Sequence, residues 1–391
     1  MNACMTSSTR MKTLHRRQRF FRHDYQIHTF FIQLFAFFPS ILIFANISAA
    51  FLSGLGPPRS TPASTMALPS ESQGAGAAPG VPVSDVERLY YSGKSILVTG
   101  ASGGLGGALA TRIAEIKTAR LLVLSGRDAT RLNGVAEACS VVSSGRYSGQ
   151  PERGGTRIEA VPCNLSVSED VSTLCRAAQG FSAEPAATGA PPPFFSAIDV
   201  LINAGGLSSR SSFLETEASV DQAIMEVNFF AGARLSKMLV PAMTTSKGGR
   251  GGAVVWISSV QGLFGLPFRS SYAASKFAIQ GYAESMRAEL ACEGVRIHTV
   301  SPGYIRTGLS KSALTGDGSA HGKTDDTTAF GADPYDVACS ILADLANGRN
   351  PDGTIALSFS ARAALWLKFL FPSVLRKMLE KRFQKGNSSS T

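Results

Sequence analysis

Six short runs of mostly apolar residues punctuate the chain: SILV (95–98), LLVL (121–124), IEAV (158–161), DVLI (199–202), AVVWI (253–257) and RIHTV (296–300). Between them lie stretches of helical character at 105–116, 130–140, 167–179, 220–243 and 272–292. No other feature constrains the fold as much. A strand with one wet face alternates polar and apolar residues. One that is apolar nearly throughout is covered on both faces, as in a parallel sheet between two helix layers. The pattern therefore predicts an α/β fold, a doubly wound parallel sheet with helices on both faces, in a single domain.

The ends of the chain have a different character. The net charge of +10 is concentrated there, with +5 in residues 1–24 and +6 in residues 361–391, which leaves −1 for everything between. A nucleic-acid binder carries a basic stripe across its folded domain, so this distribution argues against nucleic acid and for a membrane surface. Residues 1–28 read as a basic cytosolic tail. Residues 29–52 read as a transmembrane signal-anchor or leader, with 23 uncharged residues at 30–52. As a helix rising ~1.5 Å per residue that run spans about 34 Å, against a hydrocarbon core of ~30 Å. The preceding positive charge orients the remainder across the membrane. A membrane anchor in the endoplasmic reticulum is the leading location. Cleavage near NISAA, as in a plastid or mitochondrial leader, is the alternative. Residues 53–85, rich in Ser, Pro and Ala, read as a flexible linker, and residues 86–360 as the single α/β domain. Six cysteines without a CxxC pair and five histidines without HxxxH give no support to a metal site. Polar insertions at 143–156 and 180–193 carry no motif.

The first strand runs into TGASGGLG, Thr99–Gly106. Glycines at 100, 104 and 106 let the backbone turn tightly and approach a pyrophosphate at a helix N-terminus, with Thr99, Ser102 and Leu105 completing the loop. This is the signature of a Rossmann-like dinucleotide site. The second strand ends in Ser125, Gly126 and Arg127, where NAD enzymes place an acid for the ribose hydroxyls. Without that carboxylate, and with a guanidinium beside it, the site favours NADP(H) over NAD(H). Asp128 works against this preference. Ser258 and Ser259 end the fifth strand, and thirteen residues after Ser259 comes YAASK, with Tyr272 and Lys276 one helical turn apart.

The glycine loop, the strand-end serine and the YxxxK pair together resemble the short-chain dehydrogenase/reductase family over about residues 93–357. The resemblance implies a tetrad of Asn228, Ser259, Tyr272 and Lys276. It also implies cofactor contacts from Asn164 and Leu165, from Asn203, Ala204 and Gly205, and from Pro302, Gly303, Ile305 and Thr307, alongside Tyr272 and Lys276 themselves. Tyr272 would exchange a proton with the substrate oxygen and Ser259 would hydrogen-bond it. Lys276 would hold the nicotinamide ribose, and Asn228 would anchor a water leading to Lys276. A lysine ammonium ~4 Å from the phenol, at an effective dielectric of ~20, favours the phenolate by about 4 kcal/mol. Two positions depart from the family pattern: NAGG stands for NNAG at residues 203–206, and Asn164 stands for aspartate.

The C-terminal segment, residues 361–391, reads as a basic amphipathic helix with Phe371, Val374, Leu375, Met378, Leu379 and Phe383 on one stripe. It is similar to the membrane-attached "member 7" branch of the family. Residues 308–330 fall where the family places its substrate lid. The expected function is NADP(H)-dependent interconversion of a ketone or aldehyde and an alcohol on a lipophilic substrate such as a steroid, retinoid or keto lipid. The alternatives are 3-ketoacyl or 3-ketosphinganine reduction and a non-catalytic dinucleotide-binding scaffold. Family resemblance also implies a homo-oligomer through the Tyr272 helix.

Overall fold

A computed structural model of the chain describes residues 81–144, 155–182, 198–349, 351–355 and 358–388. The apolar run at 30–52, the linker up to residue 80 and the centres of both insertions lie outside the described residues. Among the described residues, no helix is long and apolar enough to cross a membrane.

Seven parallel strands form one sheet in the order β3-β2-β1-β4-β5-β6-β7. They are β1 Ser95–Thr99, β2 Leu121–Gly126, β3 Arg157–Pro162, β4 Val200–Asn203, β5 Gly252–Ile257, β6 Val295–Pro302 and β7 Thr354–Ile355. All six apolar runs are strands. The two-residue β7 is too short to show in a sequence pattern. Side chains alternate between the two faces as the pleat demands. Ile96, Val98, Leu122, Leu124, Ile202 and Val255 enter one core cluster. Leu97, Leu121, Val123, Leu201, Val254 and Trp256 enter the other.

The first face is covered by α2 (Gly104–Ile116), α3 (Ala129–Ser144) and α9 (Pro334–Asn347); the second by α4 (Ser168–Ser182), α6 (Ala231–Met243) and α7 (Ser270–Leu290). The short helix α1 (Asp85–Tyr91) opens on a capping box at Ser84. Arg112 of α2, buried, holds Glu87 of α1 at 3.1 Å.

The stretch 220–243, expected as one helix, is three pieces: α5 (Ala218–Met225), a π turn at Glu226–Phe230, and α6. The wide turn contains the buried Asn228, whose side chain bonds across to Leu207 and Ser275. The loop after β6 contains α8 (Asp326–Ala329). The C-terminal segment is likewise two helices, α10 (Phe359–Leu370) and α11 (Pro372–Ser388), with Pro372 opening the second. Because β1 and β4 are neighbours, the strand order reverses between them, and a crevice opens at the carboxyl ends of these strands.

Candidate active site

The crevice begins at the glycine loop. Gly100 has φ +69°, and a Cβ there would lie 2.7 Å from Gly205 Cα; a Cβ on Gly106 would lie 2.2 Å from Gly100 O. Only glycine lets these three backbones meet. Helix α2 starts at Gly103 with no side-chain cap, so its first amides point into the crevice without a protein partner from that side. Leu105 packs into the core, which leaves its backbone as the part available to a ligand. Ser102 lies against Gly126, and Thr307, from the loop after β6, faces Gly104 across the crevice at 3.4 Å from a Cβ built there. These features fit a dinucleotide pyrophosphate.

Thr99 braces the loop. Its Oγ1 accepts from Ala204 N (3.2 Å) and Gly205 N (3.3 Å), joining the ends of β1 and β4. Gly205 stands where the family pattern has alanine, and the Leu165 methyl occupies the space, 2.4 Å from where a Cβ would lie. Asn203 is buried with both amide atoms unpartnered. The side-chain carbonyl of Asn164, an expected cofactor contact, accepts instead from Ser166 N and Oγ at 3.2 and 2.8 Å. Such a local bond forms readily because an Asx turn closes within two residues.

At the end of β2, Ser125 is buried with its hydroxyl unpartnered, and Arg127 is exposed. Arg127 makes no ion pair among the described residues. Asp128 turns away into the start of α3, where its carboxylate accepts from Arg131 N at 3.0 Å.

The side chains of the expected tetrad converge from β5, the π turn and α7. Ser259 starts a single 3-10 turn, its Oγ accepting from Gln261 N at 3.2 Å. Ser258 points inward instead: its Oγ donates to Lys276 O (3.2 Å) and accepts from Gln280 (3.0 Å), clamping β5 to α7. Asn228 Oδ1 accepts from Leu207 N at 2.7 Å, while its Nδ2 donates to Leu207 O (2.9 Å) and Ser275 Oγ (2.8 Å). Ser275 in turn donates to Tyr272 O at 2.8 Å. Asn228 and Lys276 flank Gly206, whose Cβ would lie 3.2 Å from Asn228 Oδ1 and 3.7 Å from Lys276 Nζ.

The electrostatics differ from the simple tyrosine–lysine picture. Lys276 is buried, donates to Ile257 O at 2.8 Å, and its Nζ lies 5.6 Å from the Tyr272 ring centroid. Burial lowers its pKa to about 8. Burial also raises the Tyr272 pKa, against a hydrogen bond with Ser259 and the positive charges of Arg269 and Arg210. Desolvation opposes the phenolate. The two arginines share the Asp325 carboxylate, Arg210 at 2.6 Å and Arg269 at 2.9 Å.

A family model for short chain dehydrogenase matches residues 94–317. The chain belongs to the short-chain dehydrogenase/reductase family. It is therefore an oxidoreductase of the class that interconverts CH–OH and C=O groups. Among its relatives, a dehydrogenase/reductase SDR family protein 7-like from Anopheles gambiae is 38% identical over 77% of this chain and 86% of its own length. The dehydrogenase/reductase SDR family member 7B of Danio rerio is 36% identical over 75% and 86%. Of solved structures, a short-chain dehydrogenase/reductase from Burkholderia phymatum in complex with NAD superimposes with a TM-score of 0.57 at 20% identity, covering 73% of this chain and 96% of that one. One from Sphingobium yanoikuyae in complex with NADPH gives 0.52 at 24% identity, covering 74% and 95%. Both share the fold.

Within this short-chain dehydrogenase, the tetrad residues named from sequence meet at one crevice. Ser275, Arg210, Arg269 and Asp325 also belong to it and carry no local signature. Gly206, which keeps the glycine of the NNAG pattern, lies against Asn228 and Lys276. His321 lies 3.7 Å from Asp325. The tail also differs from one uniform stripe. Leu375 is buried and Phe383 stacks on Phe268, with centroids 5.1 Å apart, whereas Phe371, Val374 and Met378 are exposed alongside Trp366 and Phe369.

Proposed function

We propose that this enzyme is an NADP(H)-dependent carbonyl reductase or alcohol dehydrogenase acting on a lipophilic substrate at a membrane surface. The observation that carries the cofactor assignment is the end of β2: no acid faces the ribose position, Asp128 is spent on capping α3, and Arg127 stands exposed. A guanidinium forms two parallel bonds to a phosphate and cannot lose its charge.

The bound cofactor would supply or accept hydride; the protein supplies the rest. The amides of the glycine loop and of the α2 N-terminus would hold the pyrophosphate. The Tyr272 hydroxyl moves the proton to or from the substrate oxygen, and the Ser259 hydroxyl bonds that oxygen as charge develops on it. Lys276, buried and with its pKa lowered to about 8, would bind ribose hydroxyls and pass protons. Asn228 holds the backbone at Leu207 and, through Ser275, the helix that bears Tyr272.

Support for a lipophilic substrate comes from a groove of about 580 Å³ between α11 and the segment that follows Ser259, lined by Phe264, Pro267, Leu375, Leu379 and Phe383. The exposed Trp366, Phe369 and Phe371, with Arg376, Lys377, Lys381 and Arg382 on the same helix pair, suit an anionic bilayer surface.

Parallel titration of the full-length protein, in detergent, with NADPH and NADH tests the cofactor reading. NADPH should bind tenfold tighter or more, and Arg127→Ala should remove that preference, as a charged hydrogen bond of about 1.5–3 kcal/mol requires. Equal affinity for the two cofactors in the wild type would overturn it.

A further inference from the structure

The loop after β4, the turn before α7 and the long segment after β6 are joined by one ionic cluster. Asp325 Oδ2 accepts from Arg210 Nε (2.9 Å), Arg210 Nη2 (2.6 Å) and Arg269 Nη2 (2.9 Å). The cluster is largely shielded from water, with the Arg210 and Arg269 side chains 10% and 11% exposed. Arg269 is the N-cap residue of α7, three positions before Tyr272, and its carbonyl accepts from Ala273 N at 2.8 Å. Its guanidinium lies 5.9 Å from the centroid of the Tyr304 ring, whose own hydroxyl is buried and unpartnered.

We propose that Arg269 is a positioning residue for the proposed carbonyl reaction, its guanidinium, clamped with Arg210 on Asp325, setting the charge that the Tyr272 hydroxyl experiences. The inference rests on Tyr272 being the proton-exchanging group.

Two guanidiniums against one carboxylate leave one net positive charge in a space that water barely enters. There a unit charge acts more strongly than at the surface. Lys276, the other cation near Tyr272, is bonded to Ile257 O, and burial lowers its pKa to about 8, so its charge is lost above that pH. The arginines do not neutralise, because guanidinium holds its proton through the working pH range. The groups that face Tyr272 are Ser259 from the end of β5, Lys276 and Arg269 from α7 and its cap, Arg210 from the loop after β4, and Tyr304 from the loop after β6. Asp325 and His321 act on it through the arginines. Since Asp325 lies in the 308–330 segment, the field at Tyr272 depends on that segment lying over the crevice.

Charge-altering variants at the two ends of the cluster have opposite signs, which a structural brace would not produce. Tyrosinate absorbance is followed against pH for the full-length protein, each variant referenced to its own Tyr272→Phe counterpart. The measurement needs neither substrate nor cofactor, so failure to find a carbonyl substrate would leave its result intact. Asp325→Asn, which removes the neutralising carboxylate, should shift Tyr272 deprotonation down by about one pH unit, the scale set by a buried unit charge several ångströms away. Arg269→Gln should shift it up, and Arg269→Lys should restore most of the wild-type position. The pH profile of kcat/KM should move with these titrations. The proposal is overturned if Asp325→Asn and Arg269→Gln shift the titration in the same direction, or if Asp325→Asn leaves it unmoved. If Arg269→Gln does not fold, the sign of the Asp325→Asn shift decides.

Discussion

Replacing Asn228 by alanine tests how the π turn supports the active site. The side chain makes three bonds, to Leu207 N–H (2.7 Å), Leu207 C=O (2.9 Å) and Ser275 Oγ (2.8 Å). The first two lie in a partly buried setting, so water can replace part of each. At a net ~1 kcal/mol per bond, their joint loss is worth about 2 kcal/mol. The third is fully buried, but Ser275 still donates to Tyr272 O and loses only an acceptor role. The total expected destabilisation is about 2–3 kcal/mol, read from urea unfolding in the presence and absence of NADPH. A double-mutant cycle with Ser275→Ala sharpens the test. Contacting residues in one network couple by ~0.5–3 kcal/mol, and a coupling near 1 kcal/mol is expected here. Activity should fall further than stability, because the Leu207 backbone and the Tyr272 helix lose their common tether. If Asn228→Ala costs under ~0.5 kcal/mol, or is additive with Ser275→Ala within ~0.3 kcal/mol, the network is not what holds the site, and the reasoning fails.

Three other outcomes follow from the geometry. Tyr272→Phe should lower kcat by roughly 10²–10⁴-fold, the span of a general acid–base contribution, with NADPH affinity little changed; a parallel loss of binding measured by fluorescence would show that the ring has another role. Gly106→Ala should abolish measurable cofactor binding in the same titration while the fold persists by circular dichroism, since its Cβ meets the rigid Gly100 carbonyl at 2.2 Å. His298, 5% exposed, has a pKa lowered to about 4 by burial and by Arg296 and Arg287. Its folded pKa lies below the ordinary ~6.5, so the unfolded chain takes the proton first and stability is lost as pH falls through that window; about 2 kcal/mol should disappear between pH ~7 and ~5. Denaturation of His298→Leu at both pH values should show a smaller loss, and an equal loss would exonerate this histidine.

The cofactor crevice and the sheet were legible in the sequence because they rest on short-range rules. A strand covered on both faces has to be apolar, and a backbone within ångströms of another backbone has to be glycine. The YxxxK pair is likewise a one-turn spacing on one helix. The C-terminal helices were only half legible. The i, i+3, i+4 stripe marked an amphipathic segment, but it did not separate Leu375 and Phe383, which pack against the domain, from Val374 and Met378, which do not. A stripe wider than its contact looks the same in sequence whether or not something covers it. The single-helix reading of 220–243 missed the π turn because local periodicity is blind to a side chain bonded twenty-one residues upstream.

By itself, the sequence determined the order and pairing potential of the strands, the glycine-lined crevice and the four residues expected to form the tetrad. Each of these is written in neighbours a few positions apart. Tertiary structure alone decided how those residues are charged and held. Arg210 and Asp325 are 115 positions apart, Arg269 and Asp325 56, and Asn228 and Ser275 47, and no local pattern announces any of these pairs. Tertiary structure also sank Lys276 and Tyr272 into the interior, where desolvation outweighs the attraction that their spacing alone suggested. The reason is physical: covalent neighbours set local conformation, whereas a titratable group answers to every charge and every missing water around it, and the fold gathers these from distant parts of the chain.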